Sequence, residues 1–367
     1  MITFLVFVLF VLFVLVFLMQ PQFGKKPSGK HLLQMQESPH YNREKAAFEN
    51  LSETPALTEG VGYGEVLKQF LFEKSDHSKP KTALPTIKSD LFQLAPSEDA
   101  LVWFGHSSYF MQLDGKKILV DPVFSGSASP APFSMRSFKG SDIYTPEDIP
   151  TIDYLFITHD HWDHMDFKTL SALRPKIKKV ICGLGVSAHL LYWGYKKKLI
   201  EERDWNKSIL LKDDFEVHTV PARHFSGRRF KRNGTLWTSF VLKTPSYQIF
   251  IGGDSGYDTH FKKTGEEFGP FDLVILENGQ YNDNWKYIHM HPEEVLRAAK
   301  DLKAKQLLPV HSSKFALANH AWDEPLKWIT ELHKNDDLLQ LLTPKIGEKI
   351  NLKLTKQHFE HWWVGVD

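Results

Sequence analysis

Cysteine is nearly absent from the 367 residues: Cys182 is the only one, and a single thiol excludes an intrachain disulfide framework. Neither sign of charge is in excess, because 45 lysines and arginines offset 44 aspartates and glutamates to leave a formal net charge of +1. A long electrostatic track for nucleic acid is therefore not expected, and only a local patch is compatible with the total. No internal repeat recurs at a usable period, so a solenoid or propeller is excluded. No charged side chain precedes Lys25. The amino end also lacks the basic start and the small-residue cleavage site of a secretory leader.

What the amino end has is MITFLVFVLFVLFVLVFLMQ, apolar on every side and just long enough to cross a bilayer as a helix. The reading is a single-pass membrane anchor over residues 1–20. Lys25, Lys26 and Lys30 follow it, which by the positive-inside rule puts the rest of the chain on the cytoplasmic side. Residues 21–95 are polar and broken by prolines at 21, 27, 39, 55, 80 and 85, as expected of a tether and an irregular lead-in, with one short helix around 64–72. Part of this segment either lines a substrate entrance or simply packs. Residues 96–367 carry the periodic apolar pattern and form the main folded domain. Cys182, inside the apolar run VICGLG, reads as a buried small side chain rather than a reagent.

From Leu101 the pattern is one of short strands, LVWF, SYFMQL and KKILV, with Asp114-Gly115 marking a hairpin turn. His106 follows the first and is either a satisfied structural histidine or a substrate contact. Asp121 ends the third and suits an acceptor that orients a ligand histidine. Residues 124–149 have no periodic apolar face and read as a long loop. Its Phe124, Phe133, Met135 and Phe138 either wall a lipid-facing site or cover the domain without touching substrate.

The densest chemistry is THDHWDHMD at residues 158–166, directly after the apolar stretch YLFI. His159, His161, Asp163 and His164 can converge from a tight turn after a strand. Imidazoles with carboxylates suit zinc, and also iron or manganese. Other candidates recur at strand ends downstream. His224 follows FEVHTV, with Arg223 and Arg228 beside it either meeting an anionic substrate oxygen or forming a salt-bridged rim. Asp254 follows YQIFIGG with no lysine or arginine within five positions, so it needs a strong cation partner. His289 and His291 precede a helix opened by Pro292, His311 follows QLLPV, and His320 lies close by.

The HxHxDH pattern at residues 159–164 resembles the metallo-β-lactamase superfamily, and within it the branch of N-acylphosphatidylethanolamine-hydrolysing phospholipase D and UlaG-type hydrolases, over about residues 90 to 330. The resemblance implies an α/β fold of two mixed sheets face to face with helices outside, an αββα sandwich. It also implies two zinc ions, with iron or manganese as alternatives. His159, His161 and His224 would hold one ion, Asp163, His164 and His311 the other, and Asp254 would bridge them. Catalytic roles fall to Asp163, His289 and Asp254. His106 and Asp121 lie near the metals. His291 stands where the branch can carry an acidic residue, and it joins His320 as a substrate-side or outer residue. The implied activity is a dinuclear phosphodiesterase in which a metal-bridging hydroxide attacks the phosphodiester, on a phospholipid or small-molecule substrate and not on nucleic acid. The alternative is a UlaG-like hydrolase of another ester, lactone or amide. The chain lacks the flavodoxin-like glycine loop expected of a diiron electron-transfer relative.

Overall fold

Apolar runs of four to seven residues, each ended by a polar turn, become the strands of a computed structural model that describes residues 1–228 and 231–367. The amino-terminal quarter holds helices α1 (Ile2–Leu18), α2 (Gly29–Met35) and α3 (Tyr63–Phe72) and a two-stranded ribbon of β1 (Tyr41–Asn42) and β2 (Ala47–Phe48). One seven-stranded sheet then takes β3 (Ala100–Trp103), β4 (Tyr109–Leu113), β5 (Lys116–Val120), β6 (Ile152–Ile157), β7 (Ile177–Gly183) and β8 (Ile200–Arg203) in sequence order. Its outer edge is closed by β16 (Lys349–Asn351), antiparallel to β3 with Ile350 opposite Leu101. The second seven-stranded sheet runs β9 (Lys207–Leu210), β10 (Glu216–Val220), β11 (Ser239–Lys243), β12 (Gln248–Ile251), β13 (Leu273–Glu277), β14 (Gln306–Val310) and β15 (Gln340–Leu341).

Each sheet is mixed. β3 to β5 and β9 to β12 are antiparallel meanders, whereas β5 to β8 and β12 to β15 are parallel. Parallel neighbours need crossovers, which are supplied here mainly by α4 (Phe167–Leu173), α5 (Ser187–Tyr192), α6 (His260–Glu267), α7 (Pro292–Asp301) and α8 (Glu324–His333). Buried on both faces, parallel strands lose the alternation of apolar and polar residues, and β13 and β14 are buried at every position. Trp103, Met111, Phe156, Phe240 and Ile251 fill the space between the sheets. Leu155, Leu170 and Leu190 pack under the helices of the first sheet, and Phe250, Val295 and Ile329 under those of the second. The four layers are the αββα sandwich.

One expectation changes. Helix α1 is 17 residues long and ends where Pro21 opens a single 3-10 turn. At 1.5 Å per residue it spans about 25 Å, short of the ~30 Å hydrocarbon core. No helix among the described residues is long and apolar enough to cross a membrane. The single-pass anchor over residues 1–20, the membrane as a partner through it, and the cytoplasmic placement drawn from Lys25, Lys26 and Lys30 therefore fall together. At its carboxyl end α1 turns inward, because Phe17 sets its ring edge-on against Phe23, which packs edge-on against Trp162 of the histidine motif. The carboxyl terminus adds β16 and buries Trp362 and Trp363 in the core between the sheets. The loop at 124–149 buries Phe138 in the same core and sets Phe124 against Phe104, whereas Phe133 and Met135 are exposed.

Candidate metal centre

Strand β6 ends at Ile157, and the next nine residues make a tight turn in which His164 and Met165 donate their amides to the carbonyl of His161. This folding brings all four motif side chains to one point. Asp254 reaches the same point because Gly253, at φ +63°, passes so close to Thr158 that a β-carbon would lie 2.8 Å from it. His311 arrives after β14, and its loop pairs reciprocally with that of His106: His106 N–H donates to Ser312 O and His311 N–H to His106 O. His106, Asp121, His311 and Ser313 all have positive φ without being glycine. Such backbone is costly and is held only where the surroundings over-determine it, as they commonly do at functional sites.

The ligand-type atoms form contiguous groups. In the first, His159 Nε2 lies 2.9 Å from His161 Nδ1, which lies 3.3 Å from His224 Nε2, and Asp254 Oδ2 is 3.7 Å and 3.6 Å from His159 and His224. Donors around one ion at ~2.05 Å in a tetrahedron stand about 3.3 Å apart, so this spacing suits a cation in the middle. The second group is His106, Asp163, His164 and His311. Here Asp163 Oδ2 is 2.8 Å from His106 Nε2 and 3.5 Å from His164 Nε2. Asp254 links the two groups, standing 3.1 Å from His164 Nε2 and 3.2 Å from His311 Nδ1. Its ion-pair contacts among the described residues are all imidazoles.

Asp121 and Thr158 set the tautomers. Asp121 Oδ2 accepts from His164 Nδ1 at 2.8 Å and from the Thr158 hydroxyl at 2.6 Å, while Oδ1 accepts the Thr158 amide. With its Nδ1 proton committed, a neutral His164 turns a lone pair toward two carboxylates, and its Nε2 has no hydrogen-bond partner. Either a proton or a metal ion must stand between them. Asp254 Oδ1 is likewise buried without a hydrogen bond, its contact with His311 Nδ1 being an ion-pair distance only, which suits a metal ligand. Burial holds the pKa values of His159, His224, His311 and His289 down, and that of His161 down to about 4, so these imidazoles are neutral donors at neutral pH. Burial pushes Asp254 up to about 6 against the pull of His164. It also raises Asp163, but His164 and the His106 hydrogen bond outweigh it and keep that carboxyl well below its usual range. For His164, burial is outweighed by Asp254 and Asp163, which raise it strongly. Buried carboxylates facing buried neutral imidazoles fit a divalent transition metal and little else.

A model of the β-lactamase superfamily domain matches residues 116–312, more than half of the chain. The chain belongs to the metallo-β-lactamase superfamily. An uncharacterized protein of Mycobacterium tuberculosis is 34% identical over 342 residues, spanning 89% of this chain and 88% of its own. The N-acyl-phosphatidylethanolamine-hydrolyzing phospholipase D 1 of Caenorhabditis elegans is 30% identical over 294 residues, 72% of this chain and 78% of its own. Among solved structures, the metallo hydrolase Igni18 of Ignicoccus hospitalis superposes with a TM-score of 0.53 at 20% identity, covering 69% of this chain and 98% of that one, a likeness of fold. Superfamily membership and the grouped His and Asp donors make this chain a metal-dependent hydrolase.

The metal groups open into a cavity of 380 Å³. Its walls are Ala56, Leu57, Tyr63 and Val66 of the lead-in, then Phe225, Trp285, Ile288 and Leu317, with Arg232 the only lysine or arginine among the described lining residues. Neither Phe133 nor Met135 of the long loop lines it. Arg223 and Arg228 do not line it either. The Arg223 guanidinium binds Thr54, the Glu53 carbonyl and the Tyr257 carbonyl, whereas Arg228 is buried behind the histidine motif. His289 does line the cavity, its Nδ1 2.5 Å from Glu277 Oε2. His291 caps α7 and His320 accepts the Gln280 amide at 2.8 Å, so both lie off the metal groups, against Tyr281. Sequence reasoning missed Glu277, a fully buried carboxyl raised well above its usual range by burial, and Gln280, which ties His311 O to the 315–318 loop. The available signal for Glu277 was a lone acid ending the apolar strand LVILE.

Proposed function

We propose that the protein is a two-metal phosphodiesterase that cleaves N-acylphosphatidylethanolamine or a similar phospholipid. His159, His161 and His224 would hold one ion and Asp163, His164 and His311 the second, with Asp254 within reach of both groups. When bound, the ions supply a water activated near neutral pH and a positive field for a phosphoryl oxygen. The chain's own part is to place the substrate. Apolar walls take the acyl portion, and Arg232 at the mouth offers a guanidinium to a negatively charged oxygen. Burial keeps the Glu277 carboxyl protonated, so it donates to His289 Nδ1 and leaves the imidazole proton on Nε2, facing the cavity, where it can pass to the departing alkoxide. Water adds to phosphorus, the bond from phosphorus to the N-acylethanolamine oxygen breaks, and phosphatidic acid remains.

The observation that carries this reading is a buried carboxylate and imidazole centre opening into a largely apolar cavity. Similarity to enzymes named for this lipid supports the choice of phosphodiester, including a mitochondrial Saccharomyces cerevisiae relative 32% identical over 238 residues. The test is product analysis in mixed micelles. Phosphatidic acid should be released by the zinc-loaded protein and lost in Asp163→Ala. A fully metallated protein that opens a lactone or cleaves another ester, yet releases no phosphatidic acid, establishes the alternative hydrolase instead.

A further inference from the structure

Behind the histidine motif, on the face away from the cavity, lies a second set of buried polar groups that the proposed reaction does not use. Arg228 is almost fully buried, and its guanidinium hydrogen bonds among the described residues go to main-chain carbonyls. Its Nη1 donates to the carbonyls of Asp160 at 2.8 Å and Met165 at 2.7 Å, one from each end of the metal-binding turn. Its Nε and Nη2 donate to a third carbonyl, that of Gln22, at 3.0 and 2.8 Å, and the guanidinium stacks over Trp162 at 4.0 Å. The planar fork thus ties the turn to the segment 21–25. A parallel path runs through the Asp160 side chain. Its Oδ1 accepts the Gly227 amide at 2.7 Å and its Oδ2 meets His189 Nε2 at 3.2 Å, while His189 Nδ1 accepts the Lys25 amide at 3.1 Å. Trp193 adds an indole hydrogen bond to Pro21 O. Close approach is built in: Gly24 sits at φ +65°, where an added β-carbon would stand 2.0 Å from His189 Nδ1.

We propose that residues 21–25 form a strap that positions the metal-binding turn through Arg228 and His189, so that strap docking and metal binding strengthen one another. Asp160 lies between ligands His159 and His161, and Met165 directly follows His164. Restraining those two carbonyls restricts the turn to the shape in which its imidazoles converge. Outer groups that orient ligands commonly change metal affinity 10- to 100-fold. Reciprocity then requires that an ion bound on one side tighten the strap on the other by the same factor. Arg228 and His189 are positioning residues here, since neither touches substrate or ion. The inference rests on the metal-centre reading and not on the identity of the substrate.

The experiment uses the full chain and zinc. Gly24→Ala forces the strap off His189 without altering any side chain of the metal turn. Gly29→Ala is its control, carrying the same kind of left-handed strain at φ +56° with nothing within 4 Å of the added carbon. Chelator competition should show zinc affinity reduced about tenfold in Gly24→Ala and unchanged in Gly29→Ala. Arg228→Lys, which loses the planar fork, should follow Gly24→Ala. In the wild-type chain, hydrogen exchange at the amides of residues 23–25 should be slow with zinc and faster by a similar factor once zinc is stripped. Wild-type zinc affinity in Gly24→Ala, or exchange over 23–25 indifferent to zinc, overturns the coupling while leaving the metal centre standing. A wild-type chain that binds no zinc overturns the metal-centre reading, and this inference with it.

Discussion

Replacing Asp121 by asparagine isolates what the second layer of the metal centre does. Asp121 has φ +41°, a left-handed conformation that asparagine adopts readily, so the backbone should tolerate the change. The amide oxygen can retain the Thr158 N–H at 2.9 Å. The amide nitrogen then takes the place of Oδ2, where two donors point: the Thr158 hydroxyl at 2.6 Å and His164 Nδ1 at 2.8 Å. The hydroxyl can rotate and accept instead, but the imidazole can relieve the clash only by moving its proton to Nε2. That is the atom 3.1 Å from Asp254 and 3.5 Å from Asp163, and protonating it removes a metal ligand. Losing one hydrogen bond to a charged group costs about 1.5–3 kcal/mol, which corresponds to roughly a 10- to 100-fold loss of affinity. Competition with a metallochromic chelator should show one zinc bound as in the wild type and the other weakened by that factor, with unchanged circular dichroism. Two ions bound within twofold of wild-type affinity would refute the assignment of the His164 tautomer to Asp121.

Glu277→Leu removes the hydrogen-bond partner of His289 Nδ1, and roughly 100-fold lower kcat is expected with zinc content retained; turnover within threefold of wild type would show that His289 needs no orientation. Cys182 is fully buried and its thiol is raised well above its usual range by burial, so a disulfide reagent should label it only after unfolding in guanidinium, and stoichiometric labelling of the native protein within minutes would contradict the packing.

How much of this was legible depended on whether the signal was local. The strands around Leu119, Phe156 and Val274 are short apolar runs closed by turn residues, and such runs announce themselves without knowledge of partners. The motif at 158–166 concentrates its donors within one turn, so convergence of His159, His161, Asp163 and His164 could be read directly. Asp254 was readable because an acid without a nearby cation at the end of a buried strand is costly. Glu277 has the same character, but its partner, His289, lies beyond a loop and nothing in its own strand indicates the contact. Arg228 was read as either a substrate contact or a rim residue and is neither, because its three carbonyl partners come from Gln22, Asp160 and Met165, and main-chain acceptors leave no trace in side-chain pattern. The apolar cavity wall was sought in the long loop because Phe124 and Phe133 lie there. Leu57, Tyr63 and Val66 line the cavity instead, in keeping with the entrance-lining alternative for the lead-in, but which of its residues do so depends on its tertiary path.

The edge strand β16 bears on how the polypeptide is made. Both sheets are laid down in sequence order, yet β3, among the earliest core strands to emerge during synthesis, finds its outer partner only at Lys349–Asn351. Every candidate metal ligand precedes residue 312, so a nascent chain can possess its complete donor set while Ala100–Trp103 still presents open backbone to its neighbours. Unpaired edges recruit foreign strands, and contacts this distant in sequence are among the slowest to form. The last strand therefore acts as a seal on the first. A prematurely terminated product lacking residues 349–351 would be competent to gather metal but exposed to edge-to-edge aggregation.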